Sequence, residues 1–110
     1  MGIEYTKKAD DKTLQPMLAE AVASGKKVLL DFGATWCGPC RALNPVLESV
    51  AQARADVVVI KVDVDEAQEV TAQYGIRSVP TLISIEAGKS DRISVGALSK
   101  VKLEDFIDGK

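Results

Sequence analysis

The chain has 110 residues, 46% apolar and 27% charged, with a formal net charge of −2. That length suits one domain, expected over 1–110, that folds without staples. The near-neutral balance, with the lysine pairs Lys7-Lys8 and Lys26-Lys27 isolated from other basic residues, excludes a phosphate-tracking surface and hence a nucleic-acid partner.

Histidine is absent and only two cysteines are present, so no Ser-His or Cys-His nucleophile pair can be assembled. A structural zinc site wants four ligands, usually supplied by two cysteine pairs or a pair with histidines, and no metal site is expected within one chain. The longest aliphatic runs, residues 28–30 and 57–60, fall far short of the roughly 20 residues a membrane span needs. The first five residues, Met1 to Tyr5, lack the apolar stretch of a secretory signal. A cytoplasmic protein with no membrane attachment is expected.

Taken in chain order, residues 3–6 read as a short strand. Residues 11–23 place Leu14, Met17, Leu18, Ala21 and Val22 at helical spacing, with Gly25 as the stop. Residues 28–32 and 57–62 are near-continuous aliphatic runs, the pattern of central parallel strands covered on both faces. Between them, residues 40–53 carry Leu43, Val46, Leu47, Val50 and Ala51 on one stripe of a helix. Pro45 falls inside that helix, where proline costs about 3 kcal/mol and a kink is predicted. Residues 66–74 read as a helix ended by Gly75. Residues 81–85 and 92–95 read as antiparallel strands turning around Gly88. Residues 99–107 form a closing helix capped by Ser99. The order βαβαβαββα predicts an α/β fold, a mixed central sheet of about five strands sandwiched by about four helices.

The two cysteines stand in Trp36-Cys37-Gly38-Pro39-Cys40, directly after a buried strand and at the start of a helix. Unpaired N–H groups and the macrodipole at a helix N-terminus stabilise negative charge, so the thiolate of Cys37 is favoured there. A thiolate is the attacking species in disulfide exchange. Cys40, one helical turn on, is placed to displace the mixed disulfide that Cys37 forms. Pro39 suits the first turn, where its missing N–H has no partner to lose.

Asp31-Phe32, Trp36-Cys37-Gly38-Pro39-Cys40, Val79-Pro80-Thr81 and Val95-Gly96-Ala97-Leu98-Ser99 resemble the landmarks of the thioredoxin family in order and spacing. The resemblance spans nearly the whole chain. It implies a protein-disulfide reductase that carries electrons through a redox-active Cys37–Cys40 disulfide, binds no other cofactor, and maintains cell redox homeostasis. It implies that Asp31, an acid in an aliphatic strand, lies beneath the disulfide with a raised pKa and moves protons to or from Cys40, and that Lys61 modulates it. It implies a cis bond before Pro80, with Val79 offering backbone hydrogen bonds to a substrate strand. Trp36, Gly38, Pro39, Gly96 and Ala97 complete the implied substrate-binding surface. Its implied partners are thioredoxin reductase and disulfide-containing target proteins, with a monomer the default state. Two departures stand out. Gly33 occupies a place where many members carry an aromatic residue, and Glu86-Ala87 replace a commoner aromatic or basic flank, which puts site packing and partner preference in question.

Two rival functions can be weighed against these residues. An oxidase or isomerase on this fold usually carries a histidine between its cysteines, and this chain has none. A scaffold that uses the fold without turnover has no need of two intact cysteines.

Overall fold

In the computed structural model, which describes residues 5–110, the element order is that expected. It runs β1 (Thr6–Ala9), α1 (Leu14–Ala23), β2 (Lys27–Gly33), α2 (Gly38–Ala53), β3 (Val57–Asp63), α3 (Gln68–Gln73), β4 (Thr81–Ile85), β5 (Arg92–Val95) and α4 (Lys100–Asp108). The five strands form one sheet in the order β1-β3-β2-β4-β5. β2 runs parallel to β3 and antiparallel to β4, and β1 is parallel to β3. The central, parallel placement read from the two aliphatic runs is therefore observed.

Strand periodicity divides the molecule into two layers of core. Side chains alternate across a sheet, so Val28, Leu30 and Phe32 of β2 join Ile60, Val62 and Ile83 under α1 and α3, whose Leu14, Leu18, Ala21 and Val70 close that side. Leu29 of β2 points the other way, with Val57, Val59 and Leu82, against Leu43, Leu47 and Val50 of α2 and Leu103 and Ile107 of α4. Asp31 and Gly33 continue the Leu29 face toward the end of β2. The same alternation that buries Leu29 therefore aims the carboxylate at the underside of α2.

Several element boundaries differ from the sequence reading for local hydrogen-bonding reasons. The first strand is Thr6–Ala9 and overlaps the expected one at Thr6, residues 3 and 4 lying outside the described residues. Only Ala9 of its four side chains is buried, so the strand is defined by pairing with Val59–Val62 and carries no apolar pattern. α1 begins at Leu14 because Asp10 Oδ1 accepts the backbone N–H groups of Lys12 and Thr13, each at 2.9 Å, and holds the preceding residues in a turn. Asp63 does the same before α3, accepting from the N–H groups of Asp65 at 2.8 Å and Glu66 at 3.3 Å, so the helix spans only Gln68–Gln73. α1 and α3 end as expected at Gly25 and Gly75, whose positive φ angles of 75° and 66° suit residues without a Cβ. Ser99 caps α4, its hydroxyl accepting the Lys102 N–H at 3.3 Å. Pro45 sits inside α2, which runs as one element through it to Ala53. Among the described residues, no helix is long and apolar enough to cross a membrane.

Candidate active site

The site forms where β2 hands the chain to α2. Cys37 is the N-cap of α2, with extended backbone angles (φ −90°, ψ 112°). Its carbonyl accepts the Arg41 N–H at 3.1 Å, and its sulfur accepts the Cys40 N–H at 3.2 Å. Cys37 and Cys40 are joined in a disulfide, with their Cα atoms 5.2 Å apart. The N–H that reaches Cys37 Sγ is one of the unsatisfied donors of a helix start, which places positive potential at that sulfur. Pro39 occupies the first turn without sacrificing a hydrogen bond. Gly38 and Pro39 are exposed, whereas both cysteines are buried against Ala34, Val64 and Val79.

A second loop comes to the same place from the far side of the sheet. The Val79–Pro80 bond is cis, and the Val79 carbonyl oxygen lies 3.8 Å from Cys37 Sγ. The Thr81 hydroxyl donates to the Ser78 carbonyl at 2.7 Å, fixing the loop ahead of β4. Gly96 follows β5 and donates its N–H to the Pro80 carbonyl at 2.8 Å, so the Gly96 loop is tied to the proline. Ala97 next to it is exposed, and no hydrogen bond joins it to the disulfide among the described residues.

Trp36 is 65% exposed, which settles its position against a core role. Its indole N–H donates to Asp65 Oδ2 at 2.8 Å, orienting the ring beside the disulfide loop. Asp65 was not singled out in the sequence. Its signal is its position just past the carboxyl end of β3, beside the end of β2, where loops of an open α/β sheet gather around a site.

Asp31 lies under this arrangement. It is 1% exposed, and its Oδ1 is buried with no hydrogen-bond partner among the described residues. Desolvation pushes its carboxyl up to about 6, and the charge of Lys61 works in the opposite sense. Lys61 is its register partner on β3, so parallel pairing sets the ammonium's stem beside the acid. Lys61 is half-buried and is in no ion pair within 4 Å among the described residues. Gly33, two residues beyond Asp31 on the same face, sits close under Cys40. A Cβ built there would lie 3.4 Å from Cys40 Sγ and 3.9 Å from Asp31 Oδ2. The Asp31 carboxylate and the Cys40 sulfur are therefore neighbours across the space above Gly33.

With this geometry in place, known proteins supply the comparison. The sequence profile described as Thioredoxin matches residues 7–109. The chain belongs to the thioredoxin family. A thioredoxin of Chlorobaculum thiosulfatiphilum is 44% identical over 101 residues, covering 91% of this chain and 91% of that protein. A thioredoxin of Alicyclobacillus acidocaldarius is 49% identical over 86 residues, covering 77% and 82% respectively. Among solved structures, chloroplastic thioredoxin z superposes with a TM-score of 0.82 at 33% identity, covering 99% of this chain and 96% of that one. A mutant thioredoxin from Halobacterium salinarum gives 0.81 at 34% identity, covering 99% and 94%. Both the fold and the activity class expected from the motif are thus established: thioredoxins are thiol–disulfide oxidoreductases, and this thioredoxin-family chain holds the cysteine pair of that activity at bonding distance.

Proposed function

We infer that the chain works as a reductase of protein disulfides, in the cytoplasm and as a monomer, helping to maintain cell redox homeostasis. The observation that carries this reading is the Cys37–Cys40 disulfide at the N-terminus of α2 with an unpartnered carboxylate, Asp31, beneath it. Glycine and proline between the cysteines add no cation to the thiolate. Without that extra stabilisation the reduced form is the better electron donor.

In the reaction, the Cys37 thiolate attacks one sulfur of a target disulfide. A mixed disulfide forms and the other target sulfur leaves as a thiolate. Asp31 takes the proton from the Cys40 thiol, and the Cys40 sulfur attacks Cys37 Sγ. The second target sulfur leaves, and the protein is left oxidised with the Cys37–Cys40 bond closed. An acid pushed up to about 6 suits this task, because it both gains and loses a proton near neutrality. Lys61 tunes that acid by charge.

The target approaches over Trp36, Gly38 and Pro39. Val79, ahead of cis Pro80, offers main-chain hydrogen bonds to an extended segment of it. Gly96 and Ala97 supply the small-residue wall that lets the segment come close to Cys37. The oxidised protein is recharged by a flavin-containing thioredoxin reductase, since the chain has no nucleotide-binding fingerprint of its own.

Insulin reduction driven by dithiothreitol tests this directly. The native protein accelerates it, and Cys37→Ser returns the rate to that of dithiothreitol alone. A native protein that gives no acceleration would leave the scaffold reading in its place.

A further inference from the structure

The sheet has two outer strands, and they treat their open edges differently. An edge strand carries a row of unpaired N–H and C=O groups that can pair with another chain, and lysines on the strand are a common guard against this. β1 is guarded, with Lys7 and Lys8 exposed in the middle of Thr6–Ala9. β5 is not. Its one cation, Arg92, turns to the α4 face, where it donates to the Ser84 hydroxyl at 3.0 Å and to the Phe106 and Ile107 carbonyls at 2.8 and 2.9 Å. Ile93 and Val95 point to the opposite face, because their register partners are Ile83 and Thr81, and Ile83 packs under α1 and α3. Those helices leave them 62% and 65% exposed.

Hydrogen-bond alternation shows which backbone groups line the open edge. In an antiparallel pair, residues directly opposite each other alternate between bonded and non-bonded positions. The Gly96 N–H donates to the Pro80 carbonyl at 2.8 Å, a bonded position one step beyond the Thr81–Val95 pair. Ser94 opposite Leu82 and Arg92 opposite Ser84 are then bonded too, and Ile93 and Val95 fall in the non-bonded positions. Their N–H and C=O groups therefore point out of the sheet. The edge also leads to the disulfide. Val95 precedes Gly96, which is bonded to Pro80, and Pro80 follows Val79, whose carbonyl oxygen is 3.8 Å from Cys37 Sγ.

We propose that the open edge of β5 is a docking rail for protein targets: an extended segment of the target adds to the sheet beside β5 while its disulfide lies at Cys37. The proposal rests on the reading of the chain as a reductase of protein disulfides. The outward N–H and C=O groups of Ile93 and Val95 pair with the segment's backbone, and their side chains meet its alternate apolar residues. At about 3.4 Å per residue, Ile93 lies roughly 10 Å along the strand from Gly96, so the paired part of the target lies a few residues from its cysteine. A second copy of this chain is the poorer occupant. The edge offers only the four residues Arg92–Val95, too little for the roughly 1,200–2,000 Å² of a stable interface. A target already tethered by the mixed disulfide needs only a weak, reversible contact.

The test uses a peptide in which valine and threonine alternate for several residues on either side of one cysteine, made into its symmetric disulfide. A control peptide carries N-methyl groups on the backbone beyond the second residue from the cysteine, so that pairing with Val79 is kept and pairing with β5 is lost. The native protein should reduce the first about tenfold faster than the second, the effect of two backbone hydrogen bonds of ordinary net strength. Val95→Pro removes an outward N–H and spares the β4–β5 ladder, and Ile93→Lys guards the edge as Lys7 and Lys8 guard β1. Each lowers the ratio of the two rates toward parity. Ile93→Lys, at an exposed position, serves if Val95→Pro does not fold. In Cys40→Ser, which holds the first peptide on Cys37 as a mixed disulfide, amide hydrogen exchange at Ile93 and Val95 should slow relative to the free protein. A ratio unchanged in the folded variants, or unchanged exchange at Ile93 and Val95 in the trapped complex, overturns the proposal. So does protection of those amides in the free protein that rises with its concentration, which would make a second copy the occupant. Native protein that reduces neither peptide defeats the reductase reading itself, whereas reduction of both at one rate defeats only the docking edge.

Discussion

The two faces of β2 are built from alternate residues of one strand and follow opposite rules. On the α1 and α3 side, Val28, Leu30 and Phe32 are each at most 1% exposed and join one apolar cluster. On the α2 side the strand starts the same way, with Leu29 fully buried, but then places a carboxylate and a residue with no side chain beneath the cysteines. One face spends its burial on packing. The other gives up some of that stability to hold a desolvated acid beside a reactive bond, which is where local violations of the folding rules are expected in a working protein.

The contrast can be broken first on the apolar face. Phe32 is fully buried and meets the Tyr74 ring at 5.4 Å between centroids. Phe32→Ala is expected to cost about 3–5 kcal/mol of stability, read from urea unfolding, while the native fraction still reduces insulin.

The same experiment on the other face should run in the opposite direction. In the oxidised protein Asp31 is pushed up to about 6 from an ordinary 3.8. Between those pH values the folded state holds a proton that the unfolded state has released. Stability therefore falls as pH rises through that window, and the whole penalty is present above it. Its size is about 3 kcal/mol, from about 1.4 kcal/mol for each unit of separation. Asp31→Asn removes the penalty, so the variant should exceed the native protein in urea stability at pH 8, with the excess shrinking as pH falls from 6 toward 4. It should also slow insulin reduction. A variant less stable than native at pH 8 would mean that the carboxylate is satisfied and not stored at a cost.

The smallest effect sharpens the pairing of acid and lysine. Lys61 holds the Asp31 carboxyl down by charge, against the larger effect of burial. Lys61→Met should move the Asp31 titration, followed by NMR of its carboxyl carbon, upward from about 6. A downward or absent shift would remove Lys61 from the site.

How far the sequence carried varies with the physics that fixes each part. Alternation and aliphatic density made β2 and β3 legible, and helical spacing made α1, α2 and α4 legible, because each buries a face whose residues recur at the element's own period. β1 was displaced because Thr6, Lys7 and Lys8 are polar and backbone pairing alone makes them a strand. The starts of α1 and α3 were missed because Asp10 and Asp63 use their carboxylates to hold turns, and a helical pattern does not register such competition. At the site, Cys37 and Cys40 could be argued from residues alone. The cis bond at Pro80 and the place of Asp31 came from resemblance, since no local rule reports either. Asp65 escaped because a single exposed acid has no period, and its bond to Trp36 spans 29 positions of sequence.

The measurement that bears most directly on the function is the reduction potential of the Cys37–Cys40 pair, titrated against dithiothreitol and followed by Trp36 fluorescence. A reductase of protein disulfides should show a reversible two-electron transition near the general thioredoxin value of about −270 mV. A midpoint between about −120 and −180 mV would make the protein an oxidant or isomerase and contradict the account.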